Sequence, residues 1–216
     1  MRDVPVIVCI EGADGVGKST QVKALRERLK YHGIATWCGD VPFEGFTKKI
    51  VYGMLRNGLA KKFPVTFQSI HFLNRLTWQT FELPRIAFDH DVVVIGRWSL
   101  SASIYGSLEG VPKTLLDMMG SWLLVPNFTV VIKGRVKGHD GDDVYERDEL
   151  LQRRVEKAYD DACVVEPNTF IVRNDPDVNV VTQRIMDVLK LGNDEGESLM
   201  TMLGLDTNVA LDKMRH

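Results

Sequence analysis

The sequence predicts an α/β protein in which helices cover both faces of a parallel sheet of five strands. Three runs of residues, 4–10, 90–95 and 128–132, are apolar and rich in β-branched side chains almost throughout. This is the pattern of strands that are buried on both faces, as in parallel sheets. Stretches with helical periodicity separate these runs along the chain. A glycine-rich segment, residues 11–20, lies where the first strand gives way to the first helix.

The glycine-rich segment has the pattern of a phosphate-binding loop. It reads Glu-Gly-Ala-Asp-Gly-Val-Gly-Lys-Ser-Thr and fits G-x-x-x-x-G-K-[ST]. In that pattern the glycines let backbone N–H groups surround phosphates, while the lysine and the hydroxyl reach the outer phosphates and Mg²⁺. A strand before the loop and a helix over 18–32 behind it complete the context of a three-layer P-loop NTPase fold. The predicted cofactors are ATP and Mg²⁺, and the predicted cofactor-binding residues are Gly12, Ala13, Gly15, Val16, Gly17, Lys18, Ser19 and Thr20.

The remaining elements follow from periodicity and from turn residues. Two more short strands are predicted at 34–37 and 169–172. Further helices are predicted at 47–55, 65–81, 99–106, 111–124, 149–163 and 178–189. Pro64 suits the first position of its helix, and Pro84 should break or kink the same helix because proline lacks a backbone N–H.

Composition and charge exclude several classes of protein. The 216 residues, 44% of them hydrophobic, suffice for one α/β domain with a full core. A net charge of −2 gives no basic surface for nucleic acid, and no apolar run approaches the roughly 20 residues of a membrane span. The three cysteines are widely spaced and are expected to be reduced thiols. The first strand begins at residue 4, which leaves no room for a signal peptide, so we expect a cytoplasmic protein.

Residues 133–147 have the charged, glycine-rich composition of a mobile lid. Arg135 and Arg147 are its candidate catalytic charges. We assign residues 1–190 to the nucleotide-binding domain. Residues 191–216 form a polar tail with a few apolar residues, which we interpret as a short docking helix of unknown role.

The arginines point to phosphoryl transfer between two phosphorylated ligands. Arg97 follows the third strand, so it should lie beside the phosphate loop, because ligands bind beyond the carboxyl ends of strands in open α/β sheets. Arg75 follows Asn74 in the helix predicted at 65–81. Phosphoryl transfer depends mainly on positioning and on neutralisation of charge by Lys, Arg and Mg²⁺.

At these residues the sequence resembles the thymidylate kinases. The loop is similar to that family's E-G-x-D-G-x-G-K-[ST]-T motif, residues 72–75 to its F-x-A-N-R helix, and residues 96–105 to its D-R-Y-x-x-S-x-x-A-Y segment. Residues 145–159 resemble the helix that follows the family's lid. The likeness spans roughly residues 4–190. Together with the handedness of crossover connections, it implies a strand order of 2-3-1-4-5, and it implies a homodimer.

The resemblance implies a role for each matching residue. Asp14 would place the acceptor and act in catalysis together with Lys18 and Arg97, and Ser19 and Glu11 would serve the metal. The implied acceptor-binding residues are His71, Phe72, Asn74, Arg75, Arg97, Ser101 and Tyr105. Either Phe72 or His71 occupies the position of the family's stacking phenylalanine, depending on the register of the match.

Three departures from the family pattern concern the acceptor and the metal. The acid that opens D-R-Y is Gly96 here, so Glu11 or Asp14 would have to anchor Mg²⁺. The loop at residues 39–44 contains no arginine for the acceptor phosphate, and Val144 replaces an arginine of the lid.

The sequence therefore predicts an ATP-dependent kinase of a small-molecule nucleotide, with dTMP as the foremost acceptor. Two alternatives stay open at this point. The chain could phosphorylate a deoxynucleoside instead of a monophosphate, or it could bind nucleotides with little catalysis. Activity that appears only after a Gly96→Asp substitution would favour the second alternative.

Overall fold

The centre of the fold is a parallel sheet of five strands. The computed structural model describes residues 5–134, 149–191 and 198–204. The strands are β1 (Val6–Glu11), β2 (Thr36–Asp40), β3 (Val92–Gly96), β4 (Phe128–Lys133) and β5 (Thr169–Arg173). Their order across the sheet is β2-β3-β1-β4-β5, which confirms the predicted order. β1 is central and every one of its residues is buried, as its uninterrupted apolar run requires.

Helices cover both faces of this sheet. The described helices are α1 (Lys18–Tyr31), α2 (Phe46–Arg56), α3 (Leu59–Lys62), α4 (Pro64–Thr77), α5 (Leu83–Asp89), α6 (Ser99–Leu108), α7 (Lys113–Ser121), α8 (Glu149–Val165), α9 (Val178–Leu191) and α10 (Leu199–Met202). The short helix α3 was not predicted. The last helix, α10, lies within the predicted docking segment, and its Leu199 and Met200 are buried against the main core.

The long helix predicted at 65–81 extends further than its periodicity indicated. α4 begins at Pro64 as expected, passes through a π-helical turn at Trp78–Glu82 and continues as α5. The chain stays helical past Pro84, so this proline does not end the helix. Its missing N–H falls directly after the π-helical turn, where the regular hydrogen-bond pattern is already interrupted.

The two faces of the sheet carry different cores. Val6, Val8 and Ile10 of β1 face the larger core, to which α1, α8 and α9 also contribute. Ile7 and Cys9 face a second core that contains the aromatic side chains of Phe43, Trp78 and Trp98. Successive side chains of a strand point to opposite faces, so one apolar run supplies both cores.

The carboxyl ends of three neighbouring strands lie at one edge of the sheet. Ile10 of β1 is paired with Gly96 of β3, and Gly96 is paired with Asp40 of β2. The loop after β1, Arg97 after β3 and the last residue of β2 are therefore grouped at this edge. Ligands bind at this edge in open α/β sheets.

Candidate active site

The loop between β1 and α1 has the backbone conformation of a phosphate-binding loop. Gly12, Gly15 and Gly17 have φ of 137°, 79° and 83°, which side chains disfavour. A Cβ on Gly12 would also lie 2.6 Å from the carbonyl oxygen of Ile132. Among the described residues no side chain caps the N-terminus of α1, and the first turn of this helix holds no acidic residue. The first N–H groups of α1 are therefore available to an anion.

Lys18 is buried inside this loop. Its ammonium donates to the carbonyl oxygen of Gly12 at 2.9 Å and to that of Ala13. It also lies 3.5 Å from a carboxylate oxygen of Asp14. Burial, and after it the charge of Arg97, lowers the pKa of Lys18 to about 8, although Asp14 and Glu11 oppose this shift. The side chain is still mainly protonated at neutral pH, so it can contribute positive charge to bound phosphate.

Asp14 connects the loop to Arg97 and Tyr105. Its Oδ1 accepts from the Arg97 guanidinium at 2.5 Å, and its Oδ2 accepts from the Tyr105 hydroxyl at 2.8 Å. Burial alone would raise the pKa of Asp14, but the charges of Lys18 and Arg97 outweigh burial and lower this pKa to about 2. Asp14 is therefore ionised at neutral pH, and it orients both Arg97 and Tyr105.

Arg97 adopts an unusual backbone conformation. Its φ is 62°, in the left-handed region, which costs on the order of 1–3 kcal/mol for a residue with a side chain. Its backbone N–H donates to the carbonyl oxygen of Ile10 at 3.0 Å, which holds this turn against β1. Burial would lower the pKa of Arg97, but the carboxylate of Asp14 raises it, so the side chain stays charged. The turn directs a permanent cation to the edge of the phosphate loop.

Glu11 does not have the surroundings expected of a metal ligand. Its carboxylate is fully buried and accepts from the backbone N–H groups of Trp98 (2.7 Å) and Ser101 (3.3 Å) and from the Tyr159 hydroxyl (2.9 Å). The Ser101 hydroxyl donates to it as well. Both oxygens are thus engaged in linking β1 to α6 and α8, because a buried carboxylate needs such donors. We assign Glu11 a structural role in place of the expected metal role.

A pocket opens beside Asp14 and Arg97. Its cavity has a volume of about 190 Å³ and is open to solvent. Its walls come from the loop after β2 and from helices α2, α4 and α6. The predicted residues that line it are Asp14, His71, Arg75, Arg97, Ser101 and Tyr105.

Arg75 is a buried cation of this pocket, which Arg97 also lines. Arg75 is 3% exposed, and its Nε and Nη1 have no hydrogen-bond partner among the described residues. Burial lowers the pKa of Arg75 to about 10, with Glu11 opposing this shift. The guanidinium is charged at neutral pH and can bind an anionic group of a ligand by donating hydrogen bonds to it.

His71 lines the pocket from α4, together with Phe67, whose ring it contacts edge-on. Its Nδ1 is buried without a hydrogen-bond partner in the described part of the chain. Burial, followed by the charges of Arg75 and Arg97, lowers the pKa of His71 well below its usual value. The imidazole is therefore neutral at neutral pH. His71 and Arg75 are four residues apart, so they lie on the same helix face.

Phe72 and Asn74 lie on other faces of α4. Phe72 packs into the second core, and the Asn74 side chain exchanges hydrogen bonds with the backbone N–H and carbonyl of Phe43 at 2.8 and 2.9 Å. The expectation that these two side chains contact the acceptor is corrected accordingly. Adjacent residues of a helix project about 100° apart, so His71 and Phe72 face different directions. His71 lines the pocket, and the register that places it at the family's phenylalanine position therefore fits the structure.

Two more residues support the site and were not predicted. Gln152 of α8 accepts from the backbone N–H of Asp14 at 3.2 Å. Asp40, the last residue of β2, lies beside Gly96. The strand-end rule that selected Arg97 applies equally to Asp40. The candidate lid residues Arg135 and Arg147 lie outside the described residues, as does most of the predicted lid.

Within the described ranges, no helix combines the length and the apolar character that crossing a membrane requires.

Comparison with known proteins agrees with the resemblance in sequence. No protein-family model matches the chain. The chain is 25% identical over 193 residues to "Putative thymidylate kinase 251L" of Invertebrate iridescent virus 6, a match that covers 86% of this chain and 88% of the viral protein.

Solved structures show the same fold. Thymidylate kinase from Ehrlichia chaffeensis matches with a TM-score of 0.67 and 19% identity, over 86% of this chain and 98% of that one. Thymidylate kinase from Candida albicans matches with a TM-score of 0.65 and 18% identity, over 88% and 92% of the two chains. The predicted P-loop kinase fold is confirmed, and so is the resemblance to divergent thymidylate kinases.

Proposed function

We propose that this chain, which resembles the thymidylate kinases in sequence and in fold, transfers the γ-phosphoryl group of ATP to a nucleoside monophosphate, foremost dTMP. One observation supports this proposal above the others. Asp14 and Arg97 lie between a phosphate-binding loop on one side and a pocket on the other. In that pocket the buried Arg75 guanidinium has two nitrogens, Nε and Nη1, without a hydrogen-bond partner among the described residues. Two sites for phosphate that share one boundary suit a reaction between two phosphorylated ligands.

The loop and α1 are the proposed donor half of the site. Backbone N–H groups of residues 13–19 and the Lys18 ammonium would hold the phosphates of ATP, and the Ser19 hydroxyl would contribute to Mg²⁺ binding. Mg²⁺, when bound with ATP, neutralises negative charge on the phosphates. Lys18 would exchange its present carbonyl partners in the loop for phosphate oxygens, which are stronger acceptors.

The pocket is the proposed acceptor half. Arg75 would pair with the monophosphate, because the phosphate supplies the acceptors that its Nε and Nη1 lack. The neutral ring of His71 would contact the base. Tyr105 is held by Asp14 at the pocket wall and would limit where the base can lie.

The transfer itself would require positioning and charge neutralisation. An oxygen of the acceptor monophosphate attacks the γ-phosphorus of ATP, the bond to the β–γ bridging oxygen breaks, and ADP leaves. Arg97, held by Asp14, would neutralise charge on the transferring group. A lid arginine, Arg135 or Arg147, is proposed to assist.

A nucleoside acceptor is the second candidate. The loop at residues 39–44 has no arginine, and Val41 and Pro42 form that wall of the pocket. A wall without charge is compatible with an acceptor that carries no phosphate.

A coupled assay of ADP formation with all common nucleoside and deoxynucleoside monophosphates, and with thymidine beside dTMP, tests the proposal. We expect dTMP or a related monophosphate to be turned over and Lys18→Met to abolish turnover. Turnover of thymidine but not of dTMP would favour the second candidate, and absence of turnover with every acceptor would contradict both.

A further inference from the structure

We infer that Asp40, at the end of β2, supplies the carboxylate that anchors the Mg²⁺ of bound ATP. In the D-R-Y segment this acid stands at the position of Gly96, at the end of the neighbouring strand β3. The inference rests on the ATP-binding half of the proposed function. It concerns a residue on β2 that neither the loop motif nor the resemblance assigns to the metal.

Asp40 fills the space of the side chain that Gly96 lacks. The two residues are register partners on adjacent parallel strands. A Cβ on Gly96 would lie 1.8 Å from Oδ1 of Asp40 and 3.0 Å from its Cγ, and real Cβ atoms essentially never approach other atoms more closely than 3.0 Å. Position 96 therefore has no room for a side chain while Asp40 keeps this conformation.

The carboxylate lies on the side of the sheet that α1 covers. The same Cβ would be 3.4 Å from a methyl carbon of Val22. Val22 follows Ser19 by three residues in α1, and residues three apart are neighbours on a helix surface. Asp40 is therefore placed close to the first turn of α1, where Ser19 would meet the metal.

Asp40 has unused capacity to bind a cation. Its Oδ1 is buried and has no hydrogen-bond partner among the described residues. By contrast, Glu11 uses both oxygens for hydroxyl and backbone donors, and Asp14 uses both for Arg97 and Tyr105. An unpaired buried carboxylate oxygen is costly, and a cation would remove that cost.

These residues fit what Mg²⁺ requires. Mg²⁺ at nucleotide sites is held by one or two protein oxygens together with phosphates and waters. One carboxylate on β2 and one hydroxyl on α1 meet that requirement.

Binding of Mn²⁺, a paramagnetic substitute for Mg²⁺, in the presence of ATP tests the inference by electron paramagnetic resonance. We expect Asp40→Asn to weaken ATP-dependent Mn²⁺ binding about tenfold or more, the effect typical of a residue that supports a metal. Binding of metal-free ATP, measured by calorimetry, should change less than about threefold, because the loop and Lys18 are untouched. Glu44→Gln is the matched control, since Glu44 is exposed and pairs with Lys48 outside the site. Unchanged Mn²⁺ affinity in a folded Asp40→Asn variant overturns the inference.

A double variant tests whether the position of the carboxylate is what matters. Gly96→Asp alone would require the Asp40 side chain to turn away, so that variant would not separate the effects of the two carboxylates. Asp40→Gly combined with Gly96→Asp returns the carboxylate to β3 and should restore Mn²⁺ affinity to within about threefold of the parent, since it removes the side chain that would have to turn away and replaces the metal-supporting group. Failure of a folded double variant to recover affinity contradicts the inference. If the double variant does not fold, the Asp40→Asn result decides.

The measurement needs neither acceptor nor turnover, so it separates this inference from the proposed kinase activity. Weakened metal binding in Asp40→Asn, without turnover of any acceptor by the parent, supports the inference and contradicts the activity. Turnover with unchanged metal affinity in Asp40→Asn contradicts the inference alone. Absence of ATP-dependent Mn²⁺ binding by the parent overturns the inference.

Discussion

Replacement of Arg75 by methionine should stabilise the free protein and remove acceptor binding at the same time. The guanidinium is 3% exposed, and two of its nitrogens have no partner in the described structure. Burial lowers its pKa to about 10. A tenfold change in a protonation equilibrium is about 1.4 kcal/mol, so the charged form is disfavoured by roughly 3 kcal/mol in the folded protein.

The sign of this effect follows from the two pKa values. The folded pKa lies below the unfolded value, and at pH 7 the side chain is charged in both states. The penalty therefore reduces stability throughout the neutral range and is lost only as pH rises through about 10. The lowered pKa already includes the attraction of Glu11, and methionine gives up the other polar contacts of the guanidinium, so we expect a net gain of about 1–3 kcal/mol in the free energy of unfolding.

Urea unfolding at pH 7 measures this gain. Arg85→Met is the matched control, because Arg85 has a side chain that is 76% exposed and pairs with Glu82. The control should change stability by no more than about 0.5 kcal/mol.

Steady-state kinetics provide the second measurement. Loss of a charged contact to phosphate costs about 2–5 kcal/mol, so KM for the monophosphate should rise about 30-fold or more in Arg75→Met while KM for ATP stays within about threefold. If Arg75→Met instead loses stability by about 1 kcal/mol or more and keeps its KM values, Arg75 is a structural residue and the acceptor assignment is wrong.

Three further predictions concern the residues around Arg97. The pKa of Lys18 is about 8, so calorimetry should show affinity for ATP falling severalfold between pH 7 and pH 9 as the ammonium is lost, whereas Lys18→Met should bind weakly at both values; a flat profile in the parent would contradict this. The pKa of Asp14 is lowered to about 2. The ionised carboxylate therefore contributes roughly 2 kcal/mol of stability at pH values above about 4, the ordinary pKa of an aspartate, and this stability is lost as pH falls toward 2. Asp14→Asn should therefore be less stable at pH 7 and less sensitive to acid in urea unfolding, and the exposed Asp117→Asn should behave as the parent. His71→Phe should keep KM for the acceptor within about fivefold, whereas His71→Ala should raise it more than about tenfold through the lost ring contact; equal values for both variants would remove His71 from the base site.

The donor half of the site could be predicted from the sequence because its pattern is local. The strand, the glycine turns and α1 are consecutive, so spacing alone determined their arrangement. The parallel sheet was predictable for a similar reason, since β1 and β3 are apolar throughout and must be buried on both faces.

The acceptor half could be predicted only in part because it depends on contacts between distant segments. The sequence did not determine whether His71 or Phe72 faces the pocket, and the rotation of α4 against the second core decides this. Glu11 was expected at the metal because it is near the loop in sequence, whereas its partners come from α6 and α8. Asp40 was missed because its relation to Gly96 exists only across two strands. The homodimer, the cytoplasmic location and the lid stay predictions.

The aromatic side chains of the second core give the protein an internal optical signal. Trp37, Trp78 and Trp98 form one cluster, with ring centroids 5.4 Å apart for the first pair and 5.8 Å apart for Trp78 and Trp98. Phe43 stacks on Trp78 at 4.2 Å, and it directly follows Val41 and Pro42 of the pocket wall. Trp98 directly follows Arg97.

Three of the four tryptophans of the chain are therefore within a few residues of groups proposed to contact ligands. The fourth, Trp122, is 65% exposed and would contribute a solvent-like emission. Because indole emission responds to nearby charge and to water, occupation of the acceptor pocket can be followed without a label, and a Trp122→Phe background isolates the buried cluster.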